Sequence, residues 1–266
     1  MLNLIRCEIW KYKRTKAIPL MTCMAVIFPL FLVVRSTSSV PPIEDLVELH
    51  SFFDNRVFGG NLMYSVMLIV PSLVGTIGAI LFFTERDCDT FKNLRVIPVT
   101  HKQLIFAKVA VLYLWNILYS VLSCLFVCLF SAILQPAMVY DVLFKIALSI
   151  LAGVLNTTMA LPAVVLVLYC NQGYLLSVLL AFSYSILNWL LMVLASHTTF
   201  VARFVPLVCS VAWPGELLEW RRMTLLGQTY VPEVGIEAEL QVALILVVAF
   251  FVSIFLILRR YRKSAH

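Results

Sequence analysis

The sequence predicts an all-α integral membrane protein, and three observations lead to that prediction. Of its 266 residues, 62% are hydrophobic and only 13% are charged, about half the charged share of an ordinary soluble domain. The mean hydropathy is +0.98. The apolar residues also occur in runs of about 20, the length that an α-helix needs to cross a bilayer. A soluble enzyme, a disordered chain and a disulfide-linked secreted module are excluded, because each needs a more polar composition.

Six apolar runs are predicted to span the membrane, and they are 17–34, 62–83, 109–134, 142–169, 175–195 and 240–258. A further apolar stretch, 200–213, would form a helix of about 21 Å, too short for a hydrocarbon core of about 30 Å. It also contains Arg203 and Pro206. We therefore predict a short re-entrant or surface-lying helix before the last span. All six spans are assigned to one transmembrane domain, 1–266.

The distribution of lysine and arginine predicts the orientation of the chain. The segments 1–16, 84–108 and 259–266 hold 14 of the 20 Lys and Arg residues, and six spans place all three on one side. The positive-inside rule then puts both termini in the cytoplasm. The segments 35–61 and 196–239 become the larger pieces on the outer side, which is net acidic. Because the basic charge is explained by topology, no nucleic-acid partner is expected.

The basic segment 1–16 is predicted to form a helix that lies in the membrane interface. Leu2, Ile5 and Ile9 recur at helical spacing, while most of the cations lie on other faces. Such a helix turns its cations toward anionic lipid headgroups. A simple membrane anchor with no role in transport is the alternative.

The segment 84–108, TERDCDTFKNLRVIPVTHKQLIFAK, is the one substantial cytoplasmic loop of the predicted topology. Thr84 is predicted to cap a short helix, with Asp87 three residues later as a weak capping box, and Pro98 ends that helix. A second helix is predicted to start near Thr100 and to continue through Lys108 into the third span. A short cytoplasmic helix held between two spans suits the transfer of movement from a soluble partner. An ordinary polar loop is the alternative.

The residues of this loop resemble the coupling segment of the permeases of type-2 ABC transporters. In that family an acid follows the second span, then come a Thr, a Leu and a Pro–aliphatic–Ser/Thr run, and a Lys opens the next span. Asp89 stands where the family usually has Gly. The resemblance assigns a role in coupling to an ATPase to Glu85, Asp87, Thr90, Leu94, Pro98, Thr100 and Lys108. It also implies six spans, an interfacial N-terminal helix and a cytoplasmic coupling helix after the second span.

Size, span lengths and the long loop before the last span most resemble the lantibiotic-immunity and bacitracin-resistance permeases. The resemblance implies an exporter in a bacterial plasma membrane that expels an amphipathic, membrane-active peptide. None of the nine glycines is followed by Lys, so the sequence contains no P-loop. A separate ABC ATPase in two copies is therefore expected to bind ATP and Mg²⁺, with no catalytic residue, metal or cofactor in this chain. A second permease, identical or homologous, is expected to complete the transporter.

Polar residues within the spans are few, and each has two interpretations. Asn116, Asn156 and Asn188 lie in the third, fourth and fifth spans, where amides either join helices or line a substrate path. No ionisable residue lies deep in a predicted span, which disfavours an ion-coupled carrier. On the predicted outer face, Glu216 and Glu219 are candidate contacts for a cationic peptide.

Three other functions remain open at this stage. A general ABC exporter for a lipid, a drug or another small hydrophobic substrate would have the same architecture. A membrane-embedded enzyme could use Glu85, Asp87 and Asp89 to hold Mg²⁺, although no second acidic motif supports it. A sensor or assembly subunit without transport activity is the third.

Overall fold

The computed structural model describes residues 2–13, 17–38, 45–87, 100–170, 173–195, 206–225, 227 and 236–264. Every regular element in these ranges is helical. The α-helices are α1 (Leu2–Lys13), α2 (Ala17–Ser38), α3 (Leu46–Phe52), α4 (Val70–Asp87), α5 (His101–Leu134), α6 (Val142–Cys170), α7 (Tyr174–Ala195), α8 (Pro206–Leu225) and α9 (Ile236–Ser264). Two π-helical segments, Phe53–Phe58 and Asn61–Ile69, join α3 to α4, and a 3-10 turn, Pro136–Met138, lies between α5 and α6.

Six stretches among the described residues are long and apolar enough to cross a membrane. They are Ala17–Ser38, Leu46–Phe83, Lys102–Leu134, Val142–Cys170, Tyr174–Leu191 and Ala243–Tyr261. Each overlaps one predicted span, so the prediction of an all-helical chain with six apolar spans is confirmed. The helix α8 is not among these six.

The second span begins much earlier than the hydropathy predicts. Helical structure starts at Leu46, where the side chain of Asp45 accepts a hydrogen bond from the main-chain N–H of Val47 at 3.3 Å. It continues through both π-helical segments, so the described part of 35–61 is mostly helix and the second span is longer than the predicted run 62–83. The three polar residues 54–56 lower the local hydropathy, and the burial of Asp54 against another helix is not visible in a sequence window.

The prediction that Thr84 caps a separate short helix is also wrong. The helix α4 continues without a break to Asp87, so Thr84 lies inside it. Neither Pro nor Gly occurs between residues 79 and 87, and nothing in the sequence stops the helix there. The second helix of this region does begin as predicted. Thr100 is the N-cap of α5, and it forms a capping box with Gln103 through hydrogen bonds of 3.1 and 3.4 Å.

The long second span and α6 form the centre of the bundle. In the most apolar part of the span that ends in α4, 82% of the residues are buried, whereas the corresponding share in α7 and in α9 is 22%. Close packing at the centre depends on two glycines of α4. A Cβ atom at Gly75 would lie 2.7 Å from the Cβ of Ala181, and one at Gly78 would lie 2.9 Å from Val164. The absence of a side chain at these two glycines therefore permits the close approach of the helices.

The two peripheral helices lie against the bundle at different places. The helix α1 packs on α5, with Leu4 against the core, while Ile9 and Trp10 are exposed. The helix α8 packs mainly on α6 and reaches Leu225, well beyond the predicted end at 213, whereas residues 200–205 lie outside the described residues. An interfacial position for α1 and a re-entrant or surface position for α8 remain predictions.

Candidate functional site

The structure describes some of the predicted coupling residues and not others. Thr90, Leu94 and Pro98 lie outside the described residues. Glu85 and Asp87 lie in the last turn of α4, and the positions of their side chains are also outside the description. Thr100 and Lys108 are fully described, and they show how the end of the loop is held.

Lys108 is a buried connection between three helices. Its ammonium group donates a hydrogen bond of 2.7 Å to the carbonyl oxygen of Leu81 in α4. It also lies 3.5 Å from a carboxylate oxygen of Glu8 in α1, and both side chains are almost completely buried. The ring of Phe82 lies 5.3 Å from the same nitrogen. The helices α4 and α5, which precede and follow the segment 88–99, and the N-terminal helix α1 are therefore joined through one side chain.

Sequence reasoning missed Glu8 as the partner of Lys108. Glu8 is the only acid in the basic segment 1–16, and that isolation was an available signal. A buried cation needs a nearby anion or several acceptors, because desolvation of an unpaired charge costs several kcal/mol. We call this part of the molecule the Lys108 end.

The amides in the spans make contacts between helices. Asn116 in α5 donates to the carbonyl oxygen of Gly153 at 3.0 Å and to the hydroxyl of Thr157 at 2.7 Å, both in α6. Asn156 donates to the carbonyl oxygen of Val66 in the second π-helical segment. Asn188 donates at 2.8 Å to the carbonyl oxygen of Tyr184 in its own helix, α7.

The side-chain oxygens of Asn116 and Asn156 are buried and find no hydrogen-bond partner among the described residues. A buried amide oxygen without a donor can accept a hydrogen bond from water or from another polar group. The structure thus brings Asn116 and Asn156 to the junction of the second, third and fourth spans, and leaves Asn188 apart from them.

The second π-helical segment, Asn61–Ile69, carries a polar seam on its buried side. The hydroxyl of Ser65 lies 3.2 Å from the hydroxyl of Tyr119 and 3.3 Å from that of Ser123. Ser123 in turn donates to the side-chain oxygen of Asn61 at 2.9 Å. π-helical turns recur at functional sites, and this one lies in the middle of a span. The seam was not predicted, since single Ser and Asn residues in apolar runs give no signal of pairing.

A second buried ion pair lies at the opposite end of the bundle. The ammonium group of Lys145 in α6 lies 3.1 Å from the carboxylate of Asp54, and both side chains are at most 2% exposed. The hydroxyl of Tyr140 donates to the same carboxylate, and the main-chain oxygen of Tyr140 accepts from Lys145 at 3.1 Å. We call this part of the molecule the Asp54 end. Lys145 lies near the start of the predicted span 142–169, and its pairing with Asp54 was not predicted.

Tyr140 remains a hydrogen-bond donor in this cluster. Burial, together with the hydrogen bond to Asp54 and its negative charge, raises the pKa of Tyr140 well above its usual value near 10. The ring of Tyr140 also stacks on His50, with centroids 4.1 Å apart, and lies 3.7 Å from the ammonium nitrogen of Lys145. The cluster therefore joins the start of the second span to the start of the fourth.

The helix α8 is connected to the same end by its two arginines. Arg221 pairs with Asp141 at 2.6 Å, just before α6. Arg222 pairs with Glu219 and donates to the hydroxyl of Ser51 at 3.2 Å. Of the two predicted contacts for a cationic peptide, Glu219 therefore already has a cation beside it, and Glu216 is half-buried on the same helix.

A cavity of about 670 Å³ lies at the Asp54 end. It is lined by α2, the region from Asp54 to Tyr64 and the middle of α8, and it is open on one side. Apolar side chains form most of its walls, and they include Phe28, Phe31, Leu32, Leu62, Met63 and Leu218. Two arginines, Arg35 and Arg56, and two carboxylates, Asp54 and Glu219, also line it. The cavity was not predicted from the sequence, because it forms only where three segments that are distant in the chain meet.

These features define a multi-pass membrane protein whose spans are joined by buried polar contacts. Residues 4–188, more than half of the chain, match the family described as ABC-2 family transporter protein. The chain therefore belongs to the ABC-2 family of permeases, which are membrane components of ABC transporters and work with an ABC ATPase partner. The predicted resemblance to this family is confirmed.

One curated relative has a more specific name. The chain is 33% identical over 81 residues to the bacitracin transport permease protein BCRB of Bacillus licheniformis. The match covers 30% of this chain and 39% of that protein, so the chain spans about two fifths of the length of this relative. No solved structure matches the chain.

Proposed function

We propose that this permease belongs to an ATP-driven exporter that expels a membrane-active antimicrobial peptide, bacitracin-like or a lantibiotic, for self-protection or resistance. The observation that carries the proposal is the 33% identity to a bacitracin transport permease, added to membership of the ABC-2 family. A peptide that inserts among lipids by its apolar face is within reach of a permease whose own surface is mostly apolar.

The coupling part of the proposal concerns the loop that joins the second and third spans. Glu85, Asp87, Thr90, Leu94 and Pro98 are proposed to contact the ATPase. Support comes from the two ends of the loop, because Thr100 caps α5 and Lys108 connects α5 to the carbonyl oxygen of Leu81 and to α1. A loop held at both ends passes on the movement of a bound partner instead of absorbing it.

The assembly part adds the subunits that one chain of this kind lacks. Two ATPase subunits bind ATP and Mg²⁺, and a second permease, identical or homologous, completes the transporter. The orientation follows the charge bias, with both termini in the bacterial cytoplasm and the Asp54 end facing outward.

The substrate part places the peptide at the outer surface. Glu216 and Glu219 of α8 are proposed contacts for its Lys or Arg groups. Since Glu219 already pairs with Arg222, the peptide would compete with that arginine. An ion pair with a partly solvated glutamate such as Glu219 is worth only about 0.2–1 kcal/mol, so apolar contact must supply most of the affinity. Asn116 and Asn156 are proposed to line the path, supported by their unpaired side-chain oxygens among the described contacts.

The test compares bacteria that carry the permease and its ATPase with bacteria that lack only the permease. We expect the complete transporter to raise the minimum inhibitory concentration of bacitracin or of a lantibiotic. Unchanged sensitivity to every such peptide, with transport of a lipid or a drug, would replace peptide export by a general exporter.

Two variants test the coupling loop in the same cells. Glu85→Ala and Leu94→Asp should abolish protection while the protein still inserts and the ATPase still hydrolyses ATP. Asn93→Asp is the matched control, because it adds the same charge beside Leu94 without removing an apolar contact. Full protection by both loop variants would contradict the coupling proposal.

A further inference from the structure

The buried side chains of the second span recur every four residues through its two π-helical segments. Each of them is at most 4% exposed, and they form the pairs Phe53 and Asp54, Val57 and Phe58, Asn61 and Leu62, and Ser65 and Val66. An α-helix turns by about 100° per residue, so over three such intervals its buried face would drift by about 120°. π-helical turns close their hydrogen bonds over five residues instead of four. This wider turn keeps all four pairs directed at the bundle.

Contacts at both ends of this run depend on the common face. Asp54 lies 3.1 Å from Lys145 at one end, and the hydroxyl of Ser65 lies 3.2 Å from that of Tyr119 at the other. If the whole run became α-helical while Ser65 stayed in place, Asp54 would turn away from Lys145 by roughly the same 120°. The ion pair therefore depends on the helical form of the segment.

Gly59 permits the π form near the start of the run. Its main-chain N–H donates to the carbonyl oxygen of Asp54, five residues earlier. A Cβ atom at Gly59 would lie only 2.7 Å from that oxygen, closer than real Cβ atoms approach, so this π turn requires glycine. By contrast, a Cβ atom at Gly60 would make an ordinary contact of 3.5 Å with the side chain of Leu32. The two neighbouring glycines therefore differ in what they tolerate.

Pro71 acts at the other end of the run. It has no N–H group, so it cannot donate to the carbonyl oxygen of Val66, five residues earlier. The side chain of Asn156 in α6 donates to that oxygen instead. In the same way, Ser185 in α7 donates to the carbonyl oxygen of Leu68. The π form is thus held by neighbouring helices as well as by its own hydrogen bonds.

Hydrogen-bond acceptors for a second arrangement lie close to the segment. The side-chain oxygens of Asn116, Ser120 and Asn156 are buried and find no hydrogen-bond partner among the described residues. Asn156 contacts the segment directly, and the other two lie on α5, the helix that Ser65 contacts. An element with two stable forms needs partners in each of them, and these oxygens are acceptors that the π form leaves unused.

We propose that residues 53–69 are a conformational switch, in which the π-helical turns convert to an α-helix during the transport cycle. The conversion turns Asp54 away from Lys145. It also rebuilds one wall of the cavity, because every residue that the second span contributes to the lining lies between Asp54 and Tyr64. π-helical turns recur at functional sites, and elements with two discrete forms carry movement through proteins. The switch goes beyond the proposed function, because it concerns how the permease moves and not which substrate it exports.

A double-mutant cycle in the purified full-length chain tests whether the π turn at Gly59 holds Asp54 on Lys145. Gly59→Ala should move the segment toward the α form and separate the pair. Lys145→Met lowers the midpoint of unfolding in sodium dodecyl sulfate, and we expect this shift to fall to at most about half in the Gly59→Ala background. Gly60→Ala is the matched control, in which the shift should equal that in the wild type. Equal shifts in all three backgrounds would overturn the link between the π turn and the ion pair.

Hydrogen exchange followed by mass spectrometry tests the conversion itself. The permease and its ATPase, together in lipid nanodiscs, are compared without nucleotide and with a non-hydrolysable ATP analogue. We expect the exchange rates of the amides in 53–69 to differ at least about tenfold between the two states, while those in the buried helix α6 stay equal. Gly59→Ala should remove the difference, and Gly60→Ala should keep it.

A second pair of variants covers the case in which Gly59→Ala does not fold. Pro71→Ala supplies the missing N–H group without added bulk, so it should also favour the α form and reduce the difference in exchange. Pro162→Ala removes the proline inside α6 and should leave the difference unchanged. Equal exchange of 53–69 in both nucleotide states of the wild type would overturn the switch, as would a difference that none of these variants alters. Neither assay uses a substrate, so a failure of peptide export would leave both tests decisive.

Discussion

The ion pair between Asp54 and Lys145 offers the sharpest test of the packing at the outer end of the bundle. The two charged groups are 3.1 Å apart and at most 2% exposed. At an effective dielectric constant of about 20, two unit charges at that distance attract by about 5 kcal/mol. Removal of one partner leaves the other charge buried, and such changes typically cost about 3–5 kcal/mol. We therefore predict that Lys145→Met lowers the free energy of unfolding by that amount.

The companion variant Asp54→Asn should cost somewhat less. Lys145 keeps the main-chain oxygen of Tyr140 at 3.1 Å and the face of its ring at 3.7 Å as partners. In Lys145→Met, by contrast, Asp54 keeps only the hydroxyl of Tyr140 among the partners described above. The double variant should cost less than the sum of the two single variants by at least about 2 kcal/mol, because it leaves no unpaired charge.

The assay is unfolding of the purified chain in mixed detergent micelles with increasing sodium dodecyl sulfate, followed by circular dichroism. Four proteins complete the cycle: the wild type, each single variant and the double variant. If the two single costs simply add, the charges do not interact in the folded protein, and the argument from the 3.1 Å contact fails.

Two more predictions use the same unfolding assay, and a third uses hydrogen exchange of the main-chain amides. Gly75→Leu should lower the stability by about 1–3 kcal/mol through overpacking, since a Cβ there lies 2.7 Å from that of Ala181, and Ala181→Gly should restore part of the loss. Thr100→Ala should cost about 0.5–2 kcal/mol by removing the N-cap of α5, and Thr100→Ser should cost little; equal losses in both would contradict the capping role. Asn156→Leu should remove a donor to the π-helical segment 61–69 and so accelerate hydrogen exchange of its amides, while unchanged exchange there would show that the contact does not hold the segment.

The number and approximate positions of the spans could be predicted because hydropathy is a local property. Each of the six apolar runs is long enough by itself to be recognised, and lipid requires that such a run satisfy its own backbone by forming a helix. The start of α5 at Thr100 was equally local, since a capping box involves residues three positions apart. Membership of the ABC-2 family was also predicted from the sequence through the resemblance of the segment 84–108, and residues 4–188 match that family.

The partners of the charged groups were decided only by the tertiary structure. Asp54 and Arg56 lower the local hydropathy, so the predicted second span begins only after them. In the structure, Lys145 of another helix compensates the charge of Asp54. In the same way, Glu8 looked like one acid among many cations until α1 was placed beside Lys108. The physical reason is common to both cases: a sequence window measures the cost of burying a charge, while the compensation depends on which distant helix lies next to it.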